Sequence, residues 1–170
     1  NSFLKQNKMK NRRNRPFDLL AAGELLIDFI SVDFADNLEE AHHFKRLLGG
    51  SPANMCMNMT RLGNRTLLAA TVGEDDMGNW LKREVEELGV DCRLLRQVNQ
   101  PTTLILVTRS RTVSNFEAYR SADCEITAGQ FPGDLLRQVS LFHTTCFALS
   151  RQPTLTAILE VAVWAVVMVC

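Results

Sequence analysis

Apolar and polar positions alternate in blocks along these 170 residues. "FDLLAAG" (17–23) is a short apolar run closed by glycine and predicts a buried strand. "LLIDFISVDF" (25–34) continues extended, with Asp28 intruding into apolar company. After Gly49-Gly50, Ser51 reads as an N-cap, Pro52 as first-turn and Gly63 as the stop of a helix. Met55, Met59 and Leu62 would form its apolar face. "TLLAATVG" (66–73) predicts a second buried strand. Met77, Leu81, Val85 and Leu88 share one face of a helix over about 76–88, closed by Gly89. "TTLILVTRSRTVSNFEAY" (102–119) reads as a hairpin around a polar turn near Ser110 and Arg111. "LFHTTCFAL" (141–149) predicts another buried strand, and helix resumes at Thr154. This alternation predicts an α/β fold on a mainly parallel sheet, with the hairpin as an addition.

Two features suggest that the chain is the front part of something larger. Only about three buried strands are evident, against the five or six of an average sheet. The last helix, Ala157 to Val169, has nothing charged beyond Glu160, so it is apolar all round.

Composition narrows the class. At 46% hydrophobic the chain can fill one core, so a single domain is expected. The formal net charge of +0 hides an asymmetry: residues 1–15 hold Lys5, Lys8, Lys10, Arg12, Arg13 and Arg15 and no acid. That segment reads as a solvated, disordered basic tail rather than a nucleic-acid or lipid-binding arm, and it lacks a signal peptide's apolar core. No apolar stretch reaches the length of about 18 residues that spans a membrane. Cys56, Cys92, Cys124, Cys146 and Cys170 are scattered without a C-x-x-C pair, which predicts reduced thiols in a cytoplasmic protein. Adjacent His42 and His43 and the solitary His143 do not predict a metal site.

Glycines ahead of a helix raise the question of a phosphate cradle. Neither G-x-G-x-x-G nor Gly-Lys-Ser/Thr is present, and Gly49-Gly50 lead into uncharged Ser51, Pro52, Ala53 and Asn54. An asparagine amide there can donate and accept at once, as a hydroxyl-rich ligand requires. From these residues alone a plain strand-to-helix turn and a sugar site both stand.

Taken together, "GELLIDF" (23–29), "GGSPANMCMNMTRLG" (49–63), "VGEDDMGNWLKREVEELGVD" (72–91), "PTTLILV" (101–107) and "YRSAD" (119–123) resemble, in order and spacing, the N-terminal half of the ribokinase-like (PfkB) carbohydrate kinases. The similarity is greatest to the fructokinase and 2-keto-3-deoxygluconate kinase branches, over about Phe17 to Glu160. The resemblance implies a three-layer α/β/α sandwich with a small β-lid, built from segments around 29–48 and 102–119. It implies that Asp28 bonds sugar hydroxyls, that Gly49 and Gly50 let sugar lie against the backbone, and that Asn54 is a polar sugar contact. Arg120 matches an arginine that approaches the substrate from the lid. Ala118, two positions earlier, departs from those branches, which usually carry an aromatic there. By themselves Asp28 also fits a turn acid, Arg120 a surface ion pair, and Asp75 and Gly78 helix-start architecture; Thr145 and Cys146 end a strand that faces substrate in relatives.

The family's chemistry is phosphoryl transfer from ATP with Mg²⁺ to a sugar hydroxyl, using an aspartate base and a glycine-rich helix N-terminus. In the family both belong to a Gly-Ala-Gly-Asp motif, which this sequence lacks; Gly133-Asp134 reads as a loop. The expectation is a carbohydrate kinase truncated before its base and ATP site, binding no ATP or Mg²⁺ by itself. The alternative is a non-catalytic remnant that binds a sugar or a partner chain through its lid. Family lids often pair, so a homodimer is a further partner the resemblance allows.

Overall fold

The computed structural model of the protein describes residues 15–169, with side chains through Ala165. The basic-tail expectation therefore falls, apart from Arg15, outside the described residues. Four parallel strands form the central sheet: β1 (Phe17–Ala22), β4 (Thr66–Gly73), β5 (Leu95–Val98) and β8 (Val139–Thr144), in the order β5-β4-β1-β8. A second sheet, ordered β3-β2-β6-β7, holds β2 (Leu26–Phe34), β3 (Phe44–Gly49), β6 (Leu104–Arg109) and β7 (Phe116–Tyr119). Helices α1 (Ser51–Arg61), α2 (Asp76–Glu87) and α3 (Thr154–Val169) complete the architecture.

The continuous apolar runs of β1 and β4 are explained by burial on both faces. Leu19 and Ala21, with Leu68, Ala70 and Val72, face Ala53, Cys56 and Met57 of α1 and Leu81 and Val85 of α2. Leu20 and Ala22, with Leu67 and Ala69, face Ile126, Leu135 and Leu136 and, from α3, Ala157, Ile158 and Val161. The result is an α/β/α sandwich.

Several elements differ from expectation. Gly50 (φ 106°) takes the N-cap position of α1, so Ser51 is the first helical residue and its side chain caps nothing. The buried face of α1 is Pro52, Ala53, Cys56 and Met57; Met55 and Leu62 are exposed. The face packed in the core with β1 and β4 is thus set by the Ala53, Cys56 and Met57 spacing rather than by Met55 and Leu62. The strand expected over 141–149 occupies Val139–Thr144 and is only partly buried, because β8 is an edge strand among the described residues. A parallel strand not anticipated, β5, brings the described count to four. Its sequence, LRQV, is too polar to stand out.

α2 behaves as its pattern requires. Asp75 is its N-cap, accepting from Gly78 N–H at 2.7 Å, and the same carboxylate accepts from the Thr102 N–H at 2.8 Å and hydroxyl at 2.6 Å. Burial would raise its pKa, but the bonds from Thr102 and Gly78 outweigh that and hold the carboxyl below the usual range. Asp75 thus anchors α2 to the segment entering β6. Asp75→Ala is expected to lose about 2 kcal/mol at pH 7. Because the folded pKa is depressed, the carboxylate's contribution is full above the unfolded value of about 3.9 and fades as pH falls through the folded value. Urea midpoints of wild type and variant should therefore converge in acid; a gap that stays constant from pH 7 to pH 3 would refute this.

Candidate functional site

β2 leaves the central sheet immediately after β1 and crosses into the second sheet through Gly23, Glu24 and Leu25. In that sheet Leu47, Asp28, Ile105 and Ala118 form one cross-strand row on the same face. The adjacent rows put Ile27, Phe29, Leu48 and Leu104 on the opposite face, packed against the α1/α2 core. Asp28 is thereby turned away from the core, into a cleft of about 240 Å³ between the two sheets.

Glu24, Asp28, Gly50 and Ser51 provide the polar lining of this cleft. Leu26, Ile105, Phe116 and Phe147 form its apolar walls. Asp28 is half-buried, and burial pushes its carboxyl up. Its carboxylate has no hydrogen-bond partner among the described residues. Gly49 lies directly behind it: a Cβ there would sit 2.3 Å from Asp28 Oδ2. At Gly50 a Cβ would sit 2.3 Å from the Glu24 carbonyl oxygen, and the positive φ excludes most other residues as well. The backbone freedom at these glycines lets the chain close on Asp28 and on the Glu24 backbone.

Glu24 was not singled out from the sequence. It is 3% exposed, accepts the Ser51 N–H at 3.1 Å and the Thr145 hydroxyl at 2.9 and 3.2 Å, and so ties the start of α1 to the end of β8. Burial pushes its carboxyl up despite those bonds. The available signal was a glutamate inside "AAGELLI", a position where an acid is costly unless bonded.

The other expected site residues lie outside the lining. Asn54 is exposed on the first turn of α1, its N–H bonded to the Gly50 carbonyl at 2.9 Å. Arg120 lies behind Phe147, its guanidinium 3.9 Å from the ring centroid. Rather than forming a surface ion pair it is 5% exposed, bonded to Asp123 Oδ2 through Nε (2.9 Å) and Nη2 (2.5 Å), and to Ser150 through Nη1 (2.5 Å). Cys146 is exposed. A second hollow, of about 270 Å³ beside Asp75, is bordered by a carboxylate already engaged by α2 and Thr102, which makes it architectural. Among the described residues no group of three or more His, Cys, Asp or Glu is placed to hold a metal ion, and no helix is long and apolar enough to cross a membrane.

Comparisons with known proteins show the family and the fold. A family model described as pfkB family carbohydrate kinase matches residues 17–166. An ATP-dependent 6-phosphofructokinase from Thermoanaerobacterium thermosaccharolyticum is 32% identical over 141 residues, covering 83% of this chain and 44% of the relative. Fructokinase-1 of Zea mays is 32% identical over 143 residues, 82% of this chain and 44% of the relative. A 5-dehydro-2-deoxygluconokinase of Clostridium botulinum is 27% identical over 157 residues, 89% and 46% respectively. Among solved structures, a Halothermothrix orenii fructokinase superposes with a TM-score of 0.84 at 28% identity, over 89% of this chain and 54% of that one. A Pyrococcus horikoshii sugar kinase in complex with ATP gives 0.80 at 28% identity, over 84% and 48%. The chain spans about half the length of these relatives.

Proposed function

The chain belongs to the pfkB family of carbohydrate kinases, and from that premise we propose that it is the sugar-recognising part of an ATP-dependent sugar kinase. Its substrate is a fructose-like sugar or a 2-keto-3-deoxy sugar acid. The observation that carries this is Asp28: a half-buried carboxylate, free of internal partners, opening on a cleft walled by apolar side chains. Such a carboxylate accepts from sugar hydroxyls, while Phe116 and Phe147 cover the C–H faces of the ring. Gly50 keeps the floor of the cleft low, the second sheet acts as a lid, Arg120 braces the Phe147 wall, and Asn54 stands on the first turn of α1 outside the lining.

Among the described residues no group of three or more His, Cys, Asp or Glu is placed to hold a metal ion, and the sequence lacks the Gly-Ala-Gly-Asp motif, so no proton or phosphoryl step is assigned to them. They bind and orient the sugar and exclude water from one side of it. In the complete enzyme, ATP and Mg²⁺ are held by other residues, which also supply the base. A homodimer formed through the lid sheet, whose Val32 and Phe34 are exposed, and a cytoplasmic location go with the same reading.

The test is direct. A polypeptide of these 170 residues, given ATP, Mg²⁺ and fructose or 2-keto-3-deoxygluconate, is expected to release no ADP above a mock preparation, whereas the intact gene product does. Sugar-dependent ADP release by the shorter polypeptide would overturn the division of labour, and an intact product inert toward all sugars would overturn the kinase reading.

A further inference from the structure

We propose that the cleft selects a neutral polyhydroxyl sugar and discriminates against sugars carrying a phosphate or carboxylate. This inference rests on the sugar-kinase reading and narrows it, since the similar relatives are named for both neutral and charged substrates.

Among the described residues both ionisable groups of the cleft lining, Glu24 and Asp28, are acids, and the lining contains no cation. Two features that could have received an anion are already occupied by the protein's own carboxylates. The first is the N-terminus of α1, where unpaired N–H groups and the helix dipole favour negative charge. There the Ser51 N–H donates to Glu24 at 3.1 Å, and Glu24 is only 3% exposed, so a buried carboxylate holds the place a substrate phosphate would take.

The second is Arg120. Its charge is balanced by Asp123, whose side chain is 0% exposed, and Phe147 lies between it and the cleft. Its Nε, Nη1 and Nη2 are each engaged by Asp123 or Ser150. Lys45 shares the face of the second sheet with Asp28 but is two cross-strand rows further out, exposed, and not part of the lining.

An anionic sugar would therefore bring a negative charge beside two acids with no cation of the lining to offset it. Like-charge juxtaposition in such a site weakens binding steeply. A hydroxyl donates to either carboxylate without that penalty.

The experiment is isothermal titration of the intact gene product, without nucleotide, against fructose and other neutral hexoses, fructose 6-phosphate and 2-keto-3-deoxygluconate. It is paired with initial rates in ATP and Mg²⁺. A neutral sugar should be favoured over the anionic ones by about 100-fold in affinity and in kcat/KM. Glu24→Gln keeps an acceptor for Ser51 and removes one charge, so it should narrow that gap by about tenfold. Anionic sugars binding as well as or better than neutral ones would overturn the inference, as would a gap unchanged in Glu24→Gln. If neutral sugars bind selectively but no phosphoryl transfer follows, the substrate class stands and the kinase reading falls. If no sugar binds, both fall.

Discussion

Asp123→Ala is expected to lower the stability of the intact gene product by about 3–5 kcal/mol, because it strands a buried cation. The Arg120 and Asp123 side chains are 5% and 0% exposed, and Asp123 Oδ2 receives both Nε and Nη2 of the arginine. The other oxygen, Oδ1, accepts the Thr103 hydroxyl at 2.5 Å, and Thr103 Oγ1 in turn accepts the Ser121 N–H at 2.8 Å. The Asp123 carbonyl accepts from Thr154 Oγ1 at 3.3 Å, at the first residue of α3. One aspartate thus joins the segment before β6, the end of β7 and the start of α3. Its loss removes the countercharge and leaves several buried donors without partners. A typical domain is stable by about 5–15 kcal/mol, so the loss amounts to at least about a fifth of the whole. Adding Arg120→Met should recover part of the loss, because removing both charges is less damaging than removing one. Urea denaturation followed by circular dichroism would measure this. A loss below about 1 kcal/mol, or no recovery in the double variant, would show that the pair is not the anchor described.

Asp28→Ala is expected to reduce sugar kcat/KM of the intact gene product by about 10- to 150-fold, the equivalent of one charged hydrogen bond of about 1.5–3 kcal/mol. ATP affinity in the absence of sugar should be nearly unchanged. Stability should change little or improve, since the half-buried carboxylate has no internal partner and resists ionisation. That combination separates a ligand-binding acid from a structural one: a turn acid would lose stability and leave the sugar kinetics alone. Initial-rate kinetics over sugar concentration, with a thermal melt of the same sample, would decide it.

Much of the scaffold is legible in local sequence. β1 and β4 announce themselves as unbroken apolar runs because the sheet is covered on both faces, and α2 because its apolar residues recur at helical spacing. The placement of Asp28 and Gly50 beside one another comes from the antiparallel pairing of β2 with β3 and was legible only through the family resemblance. What escaped is set by non-local partners. Glu24 acquires its role from Ser51 and from Thr145, 121 positions away. Arg120 by itself fits a surface ion pair; what buries it with Asp123 is Thr103, Phe147 and Ser150, from elsewhere in the chain. β5 is strand because β4 offers it an edge, and α1 buries Ala53, Cys56 and Met57 rather than Met55 because that is the face the sheet meets.

The packing of the second sheet on α2 has a mechanical consequence. Phe29, Leu48 and Leu104 are held against the body of the protein, and Arg46, the cross-strand neighbour of Phe29, lies 4.1 Å above the Trp80 ring. Beyond that row, Ile30 to Phe34, Val107 to Arg109 and the start of β7 project past the clamp. The fulcrum for any bending of this sheet therefore lies at Phe29 and Arg46. Asp28 is one residue on the fixed side of it, while Phe116, in the row of Ile30 and Lys45, is on the lever. At about 3.3 Å per residue, Phe34 rides roughly 16 Å out along that arm, whereas Asp28 scarcely moves. If the cleft takes a sugar as proposed, Asp28 stands ready on the fixed part of the sheet, and the aromatic wall formed by Phe116 is the part free to close over it.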